Sequence, residues 1–205
     1  IEVALRGIGT PGQHSHCSPA QPDTQPIAAL GTHVDQAKKL LAEAGHPNGF
    51  ETTLYVPNDL PWIPAQAQAA AEQWKQIGVT VKLNVMPGAQ YWDVWTKVPF
   101  GATIWYHRPL AMMILGLGYR TGVPWNESGY SNPKFDAILT QAEGTLDMGK
   151  RRALMGELEQ IMQEDGPIAQ PLFRNNFTFY DKVVLGAGIH PSSYFFGNQL
   201  ALQKS

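Results

Sequence analysis

The sequence predicts an α/β fold, because the spacing of apolar residues changes from helical to alternating within one short segment. A helical pattern over residues 63–77 ends at Gly78, and residues 79–85 then alternate apolar with polar side chains. A second strand is predicted at 53–56, just before this helix. Strand, helix and strand in this order form a βαβ unit with parallel strands and a right-handed crossover. We therefore expect a mixed sheet with a βαβ unit, flanked by helices.

The first part of the chain is predicted from signals that end helices. Residues 1–6, closed by Gly7, have the pattern of the last turns of a helix whose start is missing, so we expect a fragment of a longer protein. A loop rich in Gly, Pro, Ser and His follows. The next helix begins at Thr32 or His33 and ends at Gly45.

Two later helices carry signals at both ends. Asn132 can accept a backbone N–H at a helix start, and Pro133 fits the first helical position. Gly144 ends this helix, Asp147 caps the next one, and Gly166 stops it. Weaker patterns predict a short aromatic helix at 91–95, a strand at 102–106, an irregular segment at 108–131 and one or two strands at 172–180.

Composition limits the classes of function. The 205 residues suffice for one well-buried domain. A formal net charge of −2 and the lack of a basic run argue against a nucleic-acid partner. No apolar run reaches the length of a membrane span, and the single Cys17 excludes an intramolecular disulfide. We expect a monomer without a cofactor.

Several segments, in their order and spacing, resemble one known family. They are LRGIGTPG, DQAKKLLAEAGHPNGFETTLYV, AQAAAEQWKQIGVTVKLN, YSNPKFDAILTQA and KRRALMGELEQIMQEDGP. Together they resemble the C-terminal lobe of the family 5 extracellular solute-binding proteins, the peptide-, opine- and nickel-type receptors of ABC importers. One Ala-, Leu- and Lys-rich helix would be weak evidence, because these residues simply form helices well. The order of all the segments is far more specific.

The resemblance implies a receptor with two lobes that closes on its ligand by a hinge and delivers it to a membrane permease. Residues 1–174 would form the C-terminal ligand-binding lobe of a periplasmic-binding-protein-like fold. Residues 175–205 would form a return segment that packs partly on an N-terminal lobe absent from this chain. The expected location is periplasmic, or extracellular with a lipid anchor. The expected ligand is a short peptide or an opine-like amino-acid conjugate.

Two loops are the candidate ligand-binding segments. The first follows a predicted strand, which is where ligands bind in open α/β sheets, and contains Trp105, Tyr106, His107 and Arg108. The second combines a flat apolar ring with directional polar groups, and contains Trp125, Asn126 and Glu127. Of the second loop, Trp125 favours a ligand contact, whereas Asn126 and Glu127 favour structural bonds.

Arg108 is the residue at which this chain departs from the peptide-binding relatives. By resemblance, they carry there an aspartate that pairs with the α-amino group of the ligand. A guanidinium binds carboxylate or phosphate instead, so we expect an anionic group of the ligand at Arg108. The alternative is a structural ion pair between Arg108 and Glu127.

Two other groups of residues point to different functions. His14, His16 and Cys17 lie close together in sequence but match no closed zinc motif, so we expect no metal. Because of this loop, a nickel or metal-chelate receptor of the same family remains an alternative. A small hydrolase using His107 with Glu127 is the alternative from another class, although no nucleophile elbow is present and no catalytic residue is expected.

The remaining aromatic residues are expected to serve packing rather than ligand binding. Helical spacing favours this role for Tyr91, Trp92 and Trp95, and the same role is expected of Trp62 and Trp74. By resemblance, His190 and Pro191 belong to a structural feature of the family.

Overall fold

The computed structural model describes residues 1–190, 192 and 194–203. Its α-helices are α1 (Glu2–Leu5), α2 (Val34–Glu43), α3 (Trp62–Trp74), α4 (Gly88–Trp92), α5 (Ala111–Gly118), α6 (Pro133–Gly144) and α7 (Met148–Asp165). Its strands are β1 (Gly9–Pro11), β2 (Phe50–Pro57), β3 (Val79–Met86), β4 (Leu172–Arg174), β5 (Val184–Leu185) and β6 (Ala201–Leu202). Short 3₁₀ turns occupy Lys75–Ile77 and Gly197–Gln199. Among the described residues, no helix is both long and apolar enough to cross a membrane.

The βαβ unit is confirmed. Strands β2 and β3 are parallel and in register from Phe50 opposite Val79 to Pro57 opposite Met86, and α3 joins them. One face of the pair packs on α3 through a small cluster that contains Leu54, Val56, Ile63 and Ala67. The alternating pattern of β3 is only partly buried, because Val79 is buried whereas Val85 is 47% exposed.

Glycine is required where the two strands of this unit begin. Gly49 and Gly78 both have a positive φ, which L side chains rarely adopt. A Cβ on Gly49 would lie 1.9 Å from the carbonyl oxygen of Gly78. The backbones can therefore approach closely enough to start the ladder only because both residues lack a side chain.

Helices α5, α6 and α7 enclose the main hydrophobic core. Its fully buried members include Leu115, Phe135, Leu139, Met155, Leu158 and Met162. The predicted caps are confirmed: the side chain of Asn132 accepts from the backbone N–H groups of Lys134 and Phe135, and Asp147 accepts from that of Lys150. Gly166 ends α7 with a φ of +60°.

Two predictions for the middle of the chain are wrong. Residues 108–131 are not all irregular, because they contain α5, whose sequence AMMILGLG is apolar all round and shows no helical period. Residues 102–106 do not form a strand. Tyr55 of β2 makes one parallel bridge with Gly101, bonded through Phe100 and Ala102, and the ladder ends there.

The loop at 13–27, which we call the docked loop, determines where α5 begins. Its residue Asp23 is fully buried and accepts the first-turn N–H groups of Ala111 at 2.8 Å and Met112 at 3.2 Å. Its residue Gln21 donates to the carbonyl oxygen of Arg108 at 2.8 Å. The docked loop therefore fixes the chain just before α5 in space.

The remaining short elements depart from the predicted bounds. Helix α4 begins at Gly88 and ends at Trp92, earlier than the predicted 91–95. Strand β4 pairs antiparallel with β1 and stops at Arg174, so the predicted strand at 172–180 is confirmed only in its first part. Near the chain end, His190 stacks on Tyr194 with ring centroids 5.0 Å apart, whereas Pro191 lies outside the described residues.

Candidate functional site: an aromatic cleft

A cavity of about 1000 Å³ lies beside α3. It is lined by one side of α3, by residues 98–107, by residues 166–177 and by part of the docked loop. We call this cavity the cleft. Its volume is at the upper end of the range typical of small-molecule sites, roughly 300–1000 Å³.

Tryptophan forms much of the wall of the cleft. Trp62 and Trp74 of α3, together with Trp95 and Trp105, line it and are partly exposed. Trp62 packs against the cluster of the βαβ unit and Trp74 packs on Phe100, as expected, but both also line the cleft, as Trp95 does. Their role toward a ligand stays a prediction. The buried residues of α3 are Ile63, Ala67 and Ala71.

A sequence signal for this wall does exist. Trp62, Gln66, Ala70 and Trp74 recur at a spacing of four residues, which places them on one side of α3. All four line the cleft. A stripe that mixes tryptophan with glutamine, beside a separate stripe of buried apolar residues, indicates a helix with one core face and one face that lines a cavity.

The structure brings the two candidate loops together at Trp105 and Glu127. The indole N–H of Trp105 donates to Glu127 at 3.0 Å, and the Thr103 hydroxyl lies 2.8 Å from each carboxylate oxygen. Burial raises the pKa of the Glu127 carboxyl, and the hydrogen bonds from Trp105 and Thr103 oppose this shift. Trp105 and Glu127 both line the cleft.

Three tryptophan rings pack around this junction. Trp125 lies edge-on to Trp105 and Trp95, with ring centroids 6.0 and 6.3 Å apart, and Trp95 and Trp105 are 6.4 Å apart. Trp125 is 46% exposed and lies outside the cleft lining. It therefore supports the rings that form the wall.

Asn126 makes the local bonds of a structural residue. Its amide donates to the carbonyl oxygens of Tyr130 at 2.7 Å and Arg120 at 3.2 Å, and its oxygen accepts from the Tyr130 N–H at 3.0 Å. These bonds hold the loop that positions Glu127.

The first candidate loop is divided between the cleft and its surroundings. Tyr106 and His107 line the cleft, and burial together with the nearby His190 lowers the pKa of His107. The lining does not include Arg108. The structural ion pair of Arg108 with Glu127 is wrong, because no salt bridge joins these two described residues. A ligand carboxylate at Arg108 stays a prediction.

Arg174 is a lining residue that the sequence did not reveal. It stands at the end of β4, and its guanidinium carbon lies 6.0 Å from the ring centroid of Trp62. Among the described residues of the lining, it is the only lysine or arginine. The sequence offered no signal for it, because its place in the cleft depends on the pairing of β4 with β1.

The His- and Cys-containing segment belongs to the docked loop. His14 accepts the backbone N–H of Gln170 at 3.0 Å. His16 lies edge-on to Trp105, and burial lowers its pKa to about 4. Burial raises the pKa of Cys17, whose thiol donates to the carbonyl oxygen of Ser15 at 3.5 Å. Within the described part of the chain, no three His, Cys, Asp or Glu side chains are grouped to hold a metal.

Comparison with known proteins decides the family. The profile of the bacterial extracellular solute-binding proteins, family 5, middle part, matches residues 1–115. The chain belongs to this family. It is a family of binding proteins located in the periplasm or outside the cell, so the hydrolase interpretation of His107 and Glu127 is wrong.

Individual relatives agree with this assignment. The chain is similar to the glutathione-binding protein GsiB of Pectobacterium atrosepticum, with 26% identity over 149 residues, which cover 64% of this chain and 28% of the relative. For GsiB of Escherichia coli K12 the identity is 24% over 214 residues, with coverage of 95% and 40%. The chain thus spans less than half the length of these relatives.

Solved structures confirm the α/β fold. HbpA2 from Haemophilus parasuis matches with a TM-score of 0.76 and 26% identity, over 98% of this chain and 41% of that protein. The oligopeptide-binding protein AppA from Bacillus subtilis matches with a TM-score of 0.80 and 18% identity, over 99% and 44%. Each match covers part of a periplasmic-binding-protein structure.

Proposed function

We propose that this chain is the ligand-binding lobe of an ABC importer's receptor and that its ligand is a short peptide or an amino-acid conjugate. The cleft carries this proposal, since it combines an aromatic wall with a few polar groups and is large enough for several residues of peptide. The similarity to glutathione-binding proteins, whose named ligand is a small peptide, supports the same ligand class.

The cleft offers both kinds of contact that a peptide needs. Trp62, Trp74 and Trp105 can cover apolar side chains of the ligand, and Gln66 and Gln73 can bond its backbone amides. The side-chain oxygen of Gln66 is buried and has no hydrogen-bond partner in the structure. Solvent does not reach this oxygen, so the Gln66 side chain has to turn toward the cleft to accept a ligand N–H, which would remove a cost of about 1–3 kcal/mol for the unpaired group.

The mechanism that follows is differential affinity for two conformations. This lobe forms one wall of the ligand site, to which residues 175–177 also contribute, and a second lobe forms the other wall. Closing the hinge buries the ligand between the lobes, and the ligand shifts the population toward the closed form. The permease then recognises that form and reopens it at the membrane. We place the protein in the periplasm or on the outer cell surface.

Calorimetry on the native full-length protein tests this function. We expect saturable binding of tripeptides or glutathione at one site per molecule, with the probe recovered unchanged afterwards. If none of these probes binds, or if the protein converts a bound probe into a product, the proposal is wrong.

Two arginine variants then locate the carboxylate of the ligand. We expect Arg108→Ala to weaken glutathione binding at least tenfold, or about 1.4 kcal/mol, while thermal stability stays nearly unchanged. Arg174→Ala is the matched comparison, because Arg174 lines the cleft. If only Arg174→Ala weakens binding, the carboxylate is bound by Arg174 and the prediction for Arg108 is wrong.

A further inference from the structure

Glu127 is a carboxylate without a cationic partner at the edge of the cleft. Among the described lining residues it is the only Asp or Glu. Its hydrogen-bond donors are the Thr103 hydroxyl and the Trp105 indole, both neutral. None of the salt bridges within the described part of the chain involves it.

The two donors leave part of the carboxylate unsatisfied. An ionised carboxylate offers about four acceptor positions on its two oxygens. Thr103 and Trp105 each provide a single hydrogen, and both bonds are made by side chains that line the cleft. The donors therefore hold the carboxylate in one orientation while leaving acceptor positions for a further group.

The surroundings of Glu127 favour a positive group over a further neutral one. Burial raises the pKa of Glu127, so its charged form is disfavoured where it stands. The titratable neighbours that sense its charge are Tyr91 and Tyr119, whose pKa values are raised by burial first and by Glu127 second. Both are neutral acids at physiological pH, so neither balances the carboxylate.

The nearby tryptophans strengthen this preference. Trp95 and Trp105 line the cleft beside Glu127, and Trp125 packs against both rings. Tryptophan is the aromatic residue that attracts cations most strongly, and partial exclusion of water strengthens an ion pair. A positive group that reaches Glu127 would thus meet a fixed carboxylate and indole rings together.

From this arrangement we propose that Glu127 binds a cationic group of the ligand, such as a protonated amine or a guanidinium. This inference rests on the proposed function, and it narrows the ligand to peptides or conjugates that carry a positive charge. With an arginine binding the carboxylate, the cleft would recognise both charges of a zwitterion.

Three peptide probes test the proposal on the native full-length protein. N-acetyl-Ala-Leu-Ala has no cation, whereas Ala-Leu-Ala adds a terminal amine and N-acetyl-Ala-Lys-Ala adds a side-chain amine. We expect at least one cationic probe to bind ten or more times tighter than the first probe. Glu127→Gln should reduce this preference to less than about twofold, since it removes the charge and keeps the shape.

The control is Glu157→Gln, the same chemical change at an exposed position of α7 away from the cleft. This variant should prefer the cationic probe over N-acetyl-Ala-Leu-Ala as strongly as wild type does. If wild type binds all three probes equally, or if Glu127→Gln keeps the preference, Glu127 does not bind the cationic group. The proposal that the protein is a peptide receptor is then unaffected. If wild type binds none of them, both proposals fail.

A measurement on the unmodified protein covers the case in which Glu127→Gln does not fold. A cation lowers the raised pKa of Glu127, so binding should release protons at a pH near that pKa. Calorimetry of the cationic probe in two buffers of different ionisation enthalpy, each chosen to buffer at the pH of the measurement, would detect this as a buffer-dependent heat. The heat of binding N-acetyl-Ala-Leu-Ala, which has no cation, should not depend on the buffer. Equal heats in the two buffers with the cationic probe, at every pH from 4 to 7, would contradict the proposal.

Discussion

Helices α6 and α5 begin in opposite ways. The first N–H groups of α6 are bonded by Asn132, the residue directly before the helix. The residue before α5 is Leu110, which has no side-chain acceptor, and Asp23 of the docked loop bonds the first N–H groups instead. A local cap can be read from sequence, whereas a cap supplied from 88 residues away exists only in the folded chain.

The two kinds of cap also differ in burial. Asp23 is fully buried, whereas the bond that Asp147 accepts from Lys150 at the start of α7 is exposed. When an exposed cap is removed, water can bond the freed N–H groups. When a buried one is removed, the groups stay unsatisfied, which costs about 1–3 kcal/mol for each. Remote capping should therefore contribute more to stability than local capping.

Asp23→Ala should have the largest effect. It frees two N–H groups at the start of α5, one buried and one partly buried, and we expect the free energy of unfolding to fall by about 3 kcal/mol. Urea denaturation of the full-length protein measures this. Asp147→Ala is the matched control, because it removes an exposed aspartate cap. If both variants lose the same stability, burial does not distinguish the caps.

Glu159 of α7 provides a pH test of the docked loop. It is buried and accepts the backbone N–H of Gln25 at 3.3 Å. Burial raises its pKa to about 7, and the nearby Asp23 adds to the shift. Since the pKa is higher in the folded state, the stabilising contribution is present below the ordinary value of about 4.5 and is lost as the pH rises through about 7.

We therefore expect the free energy of unfolding to decrease by about 2 kcal/mol between pH 5 and pH 8. Glu159→Gln, which stays neutral, should remove most of this decrease. Urea denaturation at four pH values would measure both proteins. Parallel pH profiles for wild type and variant would show that Glu159 does not titrate in this range.

The same difference between local and distant contacts explains which elements could be predicted from the sequence. The βαβ unit could be predicted because Gly78 separates a helical period from an alternating one. Helices α6 and α7 could be predicted because the residues that cap them lie directly before them. Helix α5 could not be predicted, since its uniformly apolar sequence has no period and its cap comes from a distant part of the chain. The predicted strand at 102–106 is wrong, because the single bridge to β2 does not extend into a ladder.

The candidate site shows the same limit. Trp105 and Glu127 were recognisable as residues suited to a ligand, but their mutual hydrogen bond depends on two loops meeting. The cleft-lining side of α3 carried a readable stripe, although Trp62 and Trp74 were expected to serve packing. Arg174 carried no signal, because its position depends on the pairing of β4 with β1.

The local caps should give the smallest effects. Asn132→Ala and Asp147→Ala should each lower the free energy of unfolding by about 1 kcal/mol, the usual cost of an exposed cap. Asn132 should lose slightly more, because its amide also donates to Asp165 at the end of α7 at 2.8 Å.

Asn132→Asp separates these two roles of Asn132. Aspartate keeps the cap on α6 but places a second carboxylate beside Asp165, whose lowered pKa reflects hydrogen bonds from Tyr130 and Asn132. We expect this variant to be less stable than wild type at neutral pH and to recover as Asp165 is protonated at low pH, since the repulsion then disappears. Urea denaturation at pH 3 and pH 7 measures the recovery. If Asn132→Asp is as stable as wild type at both pH values, the bond to Asp165 contributes nothing and α6 depends on its local cap alone.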